Sequence, residues 1–271
     1  MFWERGKHFA KRGAFFSGVG WKTYAYRGIL SFMEIATFEL EKALLEQGYG
    51  FVIGTDEAGR GPLAGPVVAA AVTPRFKMEI FKPQDGNEKL WDLVRDSKKL
   101  SEKQRERVFD FIQENFHVGI GICSHETIDR INILQASFLA MKKAITALMR
   151  AQEAELQIVN PESNPKIKNK ESKIIVLVDG NKEIPNFSHE QQAVVGGDKT
   201  SKSIAAASIV AKVTRDRMMR EYAQKYPPYG FEKHRGYGTK LHLDALKKYG
   251  PCEIHRKSFT PVASLVKGAK A

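Results

Sequence analysis

Four carboxylates in this sequence could work together: the adjacent Asp56 and Glu57 in FVIGTDEAGRG, Asp179 in KIIVLVDG and Asp198 in QQAVVGGD. Each set follows a short apolar run of strand-forming residues, so three buried strands would each deliver acid to an edge. Acids collected there are costly to desolvate unless a cation meets them. Two divalent ions about 4 Å apart can activate a water, stabilise a pentacoordinate phosphate and support a leaving oxygen, and they require several carboxylates converging on one point. Taken singly, each acid has a plainer explanation. Asp56 and Glu57 suit the first turn of a helix, Asp179 before Gly180 is a good turn pair, and Asp198 suits a turn or a helix start. Joint placement at the ends of neighbouring strands favours metal chemistry over these. Regular strand geometry points Asp56 and Glu57 to opposite faces, so the reading requires the strand to bend or end at Glu57. Asp216 is a rival for the fourth position, but it stands among Arg215, Arg217 and Arg220 on an expected helix, where an ordinary ion pair fits.

The elements that must position these acids follow from apolar spacing. Phe51, Val52 and Ile53 open a strand that stops at Gly54 and Thr55. The glycines and prolines of GPLAGPVVAAAVTP exclude an immediate helix, and Val67 to Val72 form a second strand. Before them, Phe38, Leu40, Leu44 and Leu45 give EIATFELEKALLEQG an apolar helical face that Gly48 ends. After a polar connection over 75–95, Ser101 with Gln104 forms a capping box, and Val108, Phe109 and Ile112 lie on one side of the helix that follows. Residues 117–124 read as a strand. Ile128, Ile131, Leu134, Phe138, Met141, Ile145 and Leu148 make 126–149 one amphipathic helix with a core-facing stripe. Residues 160–172 are a solvent loop, 173–180 the cleanest strand and 191–198 a strand ending in Asp198. A long helix over 203–226 carries Ala205, Ala206, Ala207 and Ser208 for close packing on the sheet. The loop 227–239 holds Tyr229 and Phe231, and 241–250 is a short helix. This order fits an α/β fold, a mixed sheet flanked by helices with a C-terminal helical segment, and shows no repeat.

Composition narrows the class. A chain of 271 residues, 42% hydrophobic and 27% charged, suits a globular protein with a sizeable core. No stretch approaches the ~20 apolar residues that span a bilayer. The two cysteines, Cys123 and Cys252, argue against a disulfide framework or a zinc site, and a cytoplasmic location is the expectation. His234, His242 and His255 have no metal-type spacing and read as surface or core histidines. The net charge of +12 is lopsided: residues 199–271 carry sixteen Lys/Arg against five acids and residues 1–30 six against one, which leaves the stretch between them net acidic. Basic charge gathered after the last acidic motif suits a polyanion such as nucleic acid. Residues 1–32 have no steady period and no signal-peptide core, so they are expected to be a disordered N-terminal extension, with Met33 or a nearby codon as the start. Residues 33–271 would then be the catalytic domain.

Several residues suit substrate contact. Gly59, Arg60 and Gly61 allow backbone groups to approach a sugar closely, although a tight turn would use the same glycines. Asp96, Ser97, Lys98 and Lys99 precede a helix, a good place for phosphate-facing groups and equally for a solvated helix start. Tyr237 is an aromatic beside basic residues.

The string DEAGRGPLAGPVVAAAV at 56–72 resembles the signature of bacterial ribonuclease HII, the type 2 ribonuclease H family. DSKKLS at 96–101, VDG at 178–180, GGDKTSKSIAAASIVAKVTRDRM at 196–218 and HRGYGT at 234–239 agree in order and spacing. The resemblance covers roughly 36–262. It implies a ribonuclease H-like fold and assigns Asp56, Glu57, Asp179 and Asp198 as ligands of two divalent ions, Mg²⁺ or Mn²⁺. It also implies that the Gly59–Gly61 element contacts the ribose at the cleavage site, and that Tyr237 stacks on the sugar of the following deoxynucleotide. The activity implied is endonucleolytic cleavage of the RNA strand of RNA–DNA hybrids. That includes cutting 5′ of single ribonucleotides in duplex DNA, with roles in ribonucleotide excision repair and primer processing. Two other readings are a ribonuclease HIII-like hybrid nuclease, which would carry a folded N-terminal substrate-binding domain, and a non-catalytic nucleic-acid-binding protein on the same fold. The four intact acids argue against a pure binder. A monomer without membrane association is expected.

Overall fold

The computed structural model describes residues 35–75, 87–159 and 173–268. The expected N-terminal extension over 1–32, the loop over 160–172 and most of the first half of the 75–95 connection lie outside them. No helix among the described residues is long and apolar enough to cross a membrane.

Five strands form one mixed sheet in the order β3-β2-β1-β4-β5: β1 Phe51–Ala58, β2 Val67–Pro74, β3 Phe116–Cys123, β4 Ile174–Asp179 and β5 Glu190–Val194. β1 runs antiparallel to β2 and β2 to β3, whereas β1 with β4 and β4 with β5 are parallel. The unbroken apolar run of β2 follows from burial on both faces. Ala70 and Val72 face the helices α3 (Glu102–Asn115) and α7 (Lys202–Lys225), while Val67, Ala69 and Ala71 face α5 (Ile133–Val159). Both layers sit unusually close. A Cβ added at Gly54 of β1 would lie 2.3 Å from the Ser203 carbonyl carbon of α7. On the opposite face, one added at Gly121 of β3 would lie 2.0 Å from the Ala140 carbonyl oxygen, and at Gly119 2.1 Å from that of Ala144.

Ser101 and Gln104 form the expected capping box at the start of α3. Four boundaries differ from the sequence reading. The helix expected over 126–149 is two: α4 (His125–Ile131) ends at Asn132, whose φ of 65° breaks the helix. Its side chain then accepts from Gln135 N at 3.1 Å to start α5. The strand expected to reach Asp198 ends at Val194, because Gly196 turns left-handed and opens the one-turn helix α6 (Gly197–Thr200). The polar 75–95 connection contains α2 (Glu88–Leu93), anchored by the buried Trp91 against Phe111 and Phe116. β1 also continues beyond Gly54, through both acids.

Residues 227–239 read as a loop and 241–250 as a short helix, and together they build a core of their own. A 3-10 turn at Pro227–Tyr229, α8 (Phe231–His234) and α9 (Lys240–Tyr249) pack Tyr229, Phe231, Leu246 and Ile254 against Leu63, Ala64 and Met219. His234, His242 and His255 are buried inside it. The His234 and His242 rings stack with centroids 4.6 Å apart, and His242 Nε2 lies 2.9 Å from His255 Nε2. His255 Nδ1 accepts from Cys252 N at 2.9 Å, so its Nε2 donates to His242 Nε2. His242 Nδ1 in turn donates to Tyr237 O at 2.9 Å, and with these partners both rings are neutral. Burial first, and the neighbouring imidazoles second, push His242 and His255 down to about 4. An unfolded chain takes up protons at both positions below about 6.5, and the folded one does not. Their contribution to stability is therefore full above about pH 6.5 and lost as pH falls toward 4. In proton NMR titrations the His242 and His255 ring resonances are expected to stay fixed from pH 7 to pH 5. Titration of either ring near pH 6.5 would contradict the buried pair.

Candidate active site

β1 is held extended past the point where its parallel partner stops. Its pairing with β4 ends at Thr55↔Val178, while its pairing with β2 continues through Asp56↔Ala70 and Glu57↔Ala69 to Ala58. The expected end of the strand at Glu57 thus comes one residue late, because β2 carries the ladder on. One further register step along the β1–β4 pair brings Asp56 level with Asp179. Asp179 Oδ1 accepts from Gly197 N at 2.8 Å, which fixes the short helix that carries Asp198. Asp198 therefore reaches the group from the first turn of α6 and not from a strand tip.

The four acids sense one another. Burial drives the Asp56 carboxyl well above its ordinary range, and Glu57 and Asp179 add to the rise. Burial likewise raises Glu57, opposed by Arg60, whose Nη1 lies 3.2 Å from Glu57 Oε1. Asp198 is raised by burial, then by Asp96 and Asp179. Lys98 answers this charge. Burial pulls its ammonium down, but Asp198, Asp56, Asp96 and Asp179 outweigh it and hold the group above the ordinary lysine value. Its segment is fixed by Asp96, which accepts from Lys98 N at 2.9 Å, and by Arg105, which donates to Ser97 O at 3.0 Å.

An all-oxygen set of mutually repelling, partly desolvated carboxylates suits a hard divalent cation. As arranged here the oxygens are turned to local donors: Asp56 Oδ1 to Glu57 N at 2.7 Å, Glu57 to Arg60 and Asp179 to Gly197 N. Accordingly, among the described residues no three His, Cys, Asp or Glu side chains form a ready-made cage. The donor chemistry, carboxylate oxygen throughout, fits such an ion.

The sugar-facing candidates border the acids. Gly59 has φ +104°, and a Cβ there would lie 2.2 Å from Arg215 Nε, so both backbone and space require glycine. The Cβ direction of the exposed Gly61 meets Tyr237 Cε1 at 3.4 Å. Tyr237 is 45% exposed, and its loop is tied to the same element where Leu63 N donates to Gly236 O at 2.8 Å. Asp216 is not part of this group. It is paired with Lys212 at 2.7 Å, with Arg235 at 3.9 Å and with Arg105 at 4.0 Å.

Sequence reasoning missed three contributors. Ser208 hydrogen-bonds to the Asp56 carboxylate and lies 3.0 Å from Ser97 Oγ, which links the β1 acid to the Lys98 segment. It was legible as a small residue for packing, and its hydroxyl carried no separate signal. Arg215 and Arg256 are buried under the Gly59–Pro66 loop. Burial lowers them to about 10 and about 9, so both remain cations at neutral pH.

The large cavity of about 410 Å³, lined by Asp129, Arg130, Asn132 and Phe259, lies apart from the carboxylates.

A sequence model of the family described as Ribonuclease HII matches residues 53–262. The ribonuclease HII of Caldicellulosiruptor bescii is 48% identical over 223 residues, covering 82% of this chain and 92% of that protein. That of Fusobacterium nucleatum is 50% identical over 217 residues, covering 80% and 88%. Among solved structures, the ribonuclease H2 of Pyrococcus horikoshii superposes with a TM-score of 0.53 at 25% identity, covering 81% of this chain and 99% of that one.

Proposed function

The chain belongs to the ribonuclease HII family and is a ribonuclease H, an endonuclease acting on RNA–DNA hybrids; from that premise we propose that it cuts duplex DNA on the 5′ side of an embedded ribonucleotide, leaving 3′-hydroxyl and 5′-phosphate ends. The observation that supports this most directly is adjacency. Asp56 and Glu57, with Asp179 and Asp198 beside them, lead into a loop whose Gly61 abuts Tyr237, so hydrolysis and sugar recognition would share one surface.

Asp56, Glu57, Asp179 and Asp198 would hold two divalent ions, Mg²⁺ or Mn²⁺. Such ions, when bound, lower the pKa of water and offset charge on the phosphate under attack. The remaining work falls to the chain. Arg60 keeps Glu57 in reach of the other acids. Lys98, held charged by its acidic neighbours, offers an ammonium to a backbone phosphate. The Gly59–Gly61 backbone meets the 2′-hydroxyl, and the Tyr237 ring stacks on the sugar of the deoxynucleotide that follows.

A duplex carrying one ribonucleotide tests this. A nick on its 5′ side that EDTA abolishes, mapped on a sequencing gel, is the expected result. Cutting confined to longer RNA–DNA hybrids would remove the role given to Gly59–Gly61 and Tyr237.

A further inference from the structure

Arg215 and Arg256 are both essentially inaccessible, at 1% and 0% exposure, and neither guanidinium has a carboxylate within hydrogen-bonding or ion-pair distance among the described residues. Their donors go to main-chain carbonyls. Arg256 Nη2 donates to Gly59 O at 2.6 Å and Pro66 O at 3.2 Å, its Nη1 to Arg60 O at 3.0 Å and its Nε to Gly65 O at 3.0 Å. Arg215 adds Pro66 O at 3.0 Å, Ala64 O at 3.1 Å and Arg235 O at 3.0 Å. Two planar forks thus gather five carbonyls of the Gly59–Pro66 loop inward.

The peptide plane turns this into a statement about the other side of the loop. In a trans peptide the C=O of one residue and the N–H of the next point in opposite directions. With the carbonyls of Gly59 and Arg60 drawn in by Arg256, the amides of Arg60 and Gly61 have to point out, toward the exposed face that Gly61 shares with Tyr237. Two outward amides make a paired donor for an oxygen on a sugar. A lysine keeps the charge but cannot reach four carbonyls in fixed directions, because its ammonium is a point on a flexible stem.

The geometry points to Arg256 as a positioning residue for ribose selection: it aims the Arg60 and Gly61 amides at the 2′-hydroxyl by holding the two carbonyls behind them. This rests on the reading of Gly59–Gly61 as the ribose-facing element. Arg256 lies nearly two hundred residues from that loop in sequence and touches no substrate, so its effect is on discrimination more than on affinity.

The test uses the full chain in an Asp56→Asn background, which binds without cutting. It compares dissociation constants for a DNA duplex carrying one ribonucleotide and for the same duplex made wholly of DNA. The background is expected to prefer the ribonucleotide. Adding Arg256→Lys is expected to shrink that preference roughly tenfold while affinity for the all-DNA duplex stays within about twofold, since the lost contacts are those made to one hydroxyl. A merely structural role would weaken both duplexes alike, and that result, or a preference left intact, overturns the proposal. A background with no preference overturns the ribose-facing reading itself and the proposal with it. Should Arg256→Lys not fold, NMR of the background protein decides. The Arg60 and Gly61 amide resonances are expected to shift with the ribonucleotide duplex and little with the all-DNA duplex, while Arg256 Nε–H stays protected from exchange. Equal shifts, or a rapidly exchanging Nε–H, overturn it.

Discussion

Asp56→Asn is expected to slow cleavage of a hybrid by at least about 10³-fold, the scale of the several kcal/mol that a metal-holding carboxylate contributes to a phosphoryl-transfer transition state. Binding of the uncut duplex is expected to survive, because the substitution is isosteric. Asn can still accept from Glu57 N and from Ser208, and it removes a negative charge where phosphate docks. A second signature separates this from structural damage. Burial, with Glu57 and Asp179 behind it, raises the Asp56 carboxyl, so without metal the folded protein resists its ionised form. At neutral pH the neutral amide is therefore expected to leave the EDTA-treated protein at least as stable as the parent, read as its melting temperature. Inactive, binding-competent and undamaged is the combination that identifies a site residue. A variant that cut as fast as the parent would end the assignment of Asp56.

Gly54→Ala is expected to destabilise the fold by at least about 3 kcal/mol, measured by urea unfolding, a large part of a typical domain's stability. The added carbon would stand 2.3 Å from Ser203 C and 2.5 Å from Ile204 N, both main chain at the start of α7. A flexible side chain could swing aside, but a helix backbone has to move as a body, taking Ser208 and its bond to Asp56 with it. Gly48→Ala offers the contrast. Gly48 sits at φ +95° with nothing within 4 Å, so only the conformational cost applies there, about 1 kcal/mol. Equal losses at the two positions would show that close approach is not what Gly54 provides.

The acids were legible because their strands announce themselves. The apolar runs at 51–53 and 174–178 have few other uses, and the acids that follow them have few harmless ones. Less legible was the manner of delivery. QQAVVGGD looks like a strand to its last residue, but a left-handed Gly196 turns the final carboxylate onto a helix. Local spacing cannot distinguish those two paths to the same point. The buried arginines were less visible still. Arg215 and Arg256 stand among other basic residues, where solvated or phosphate-facing roles are the ordinary inference, and only the fold brings them beneath residues 59–66. The histidines illustrate the same limit. His242 and His255 are thirteen positions apart with no metal spacing, and their shared proton follows from packing α9 against the residues after it.

The glycines of β3 carry a mechanical meaning. With Gly54 on one face and Gly119 and Gly121 on the other, both helical layers rest on the sheet main chain to main chain. Layers kept apart by side chains can yield by repacking them, and layers seated in this way have little compliance. The strand ends that carry Asp56 and Asp179 are thus mounted on a stiff floor. Lys98 is attached differently, on a short segment held through the side chains of Asp96, Ser97 and Arg105, with a long stem of its own. Under the proposed function, a duplex bound here would find an ammonium free to follow its phosphates and carboxylates that stay in register.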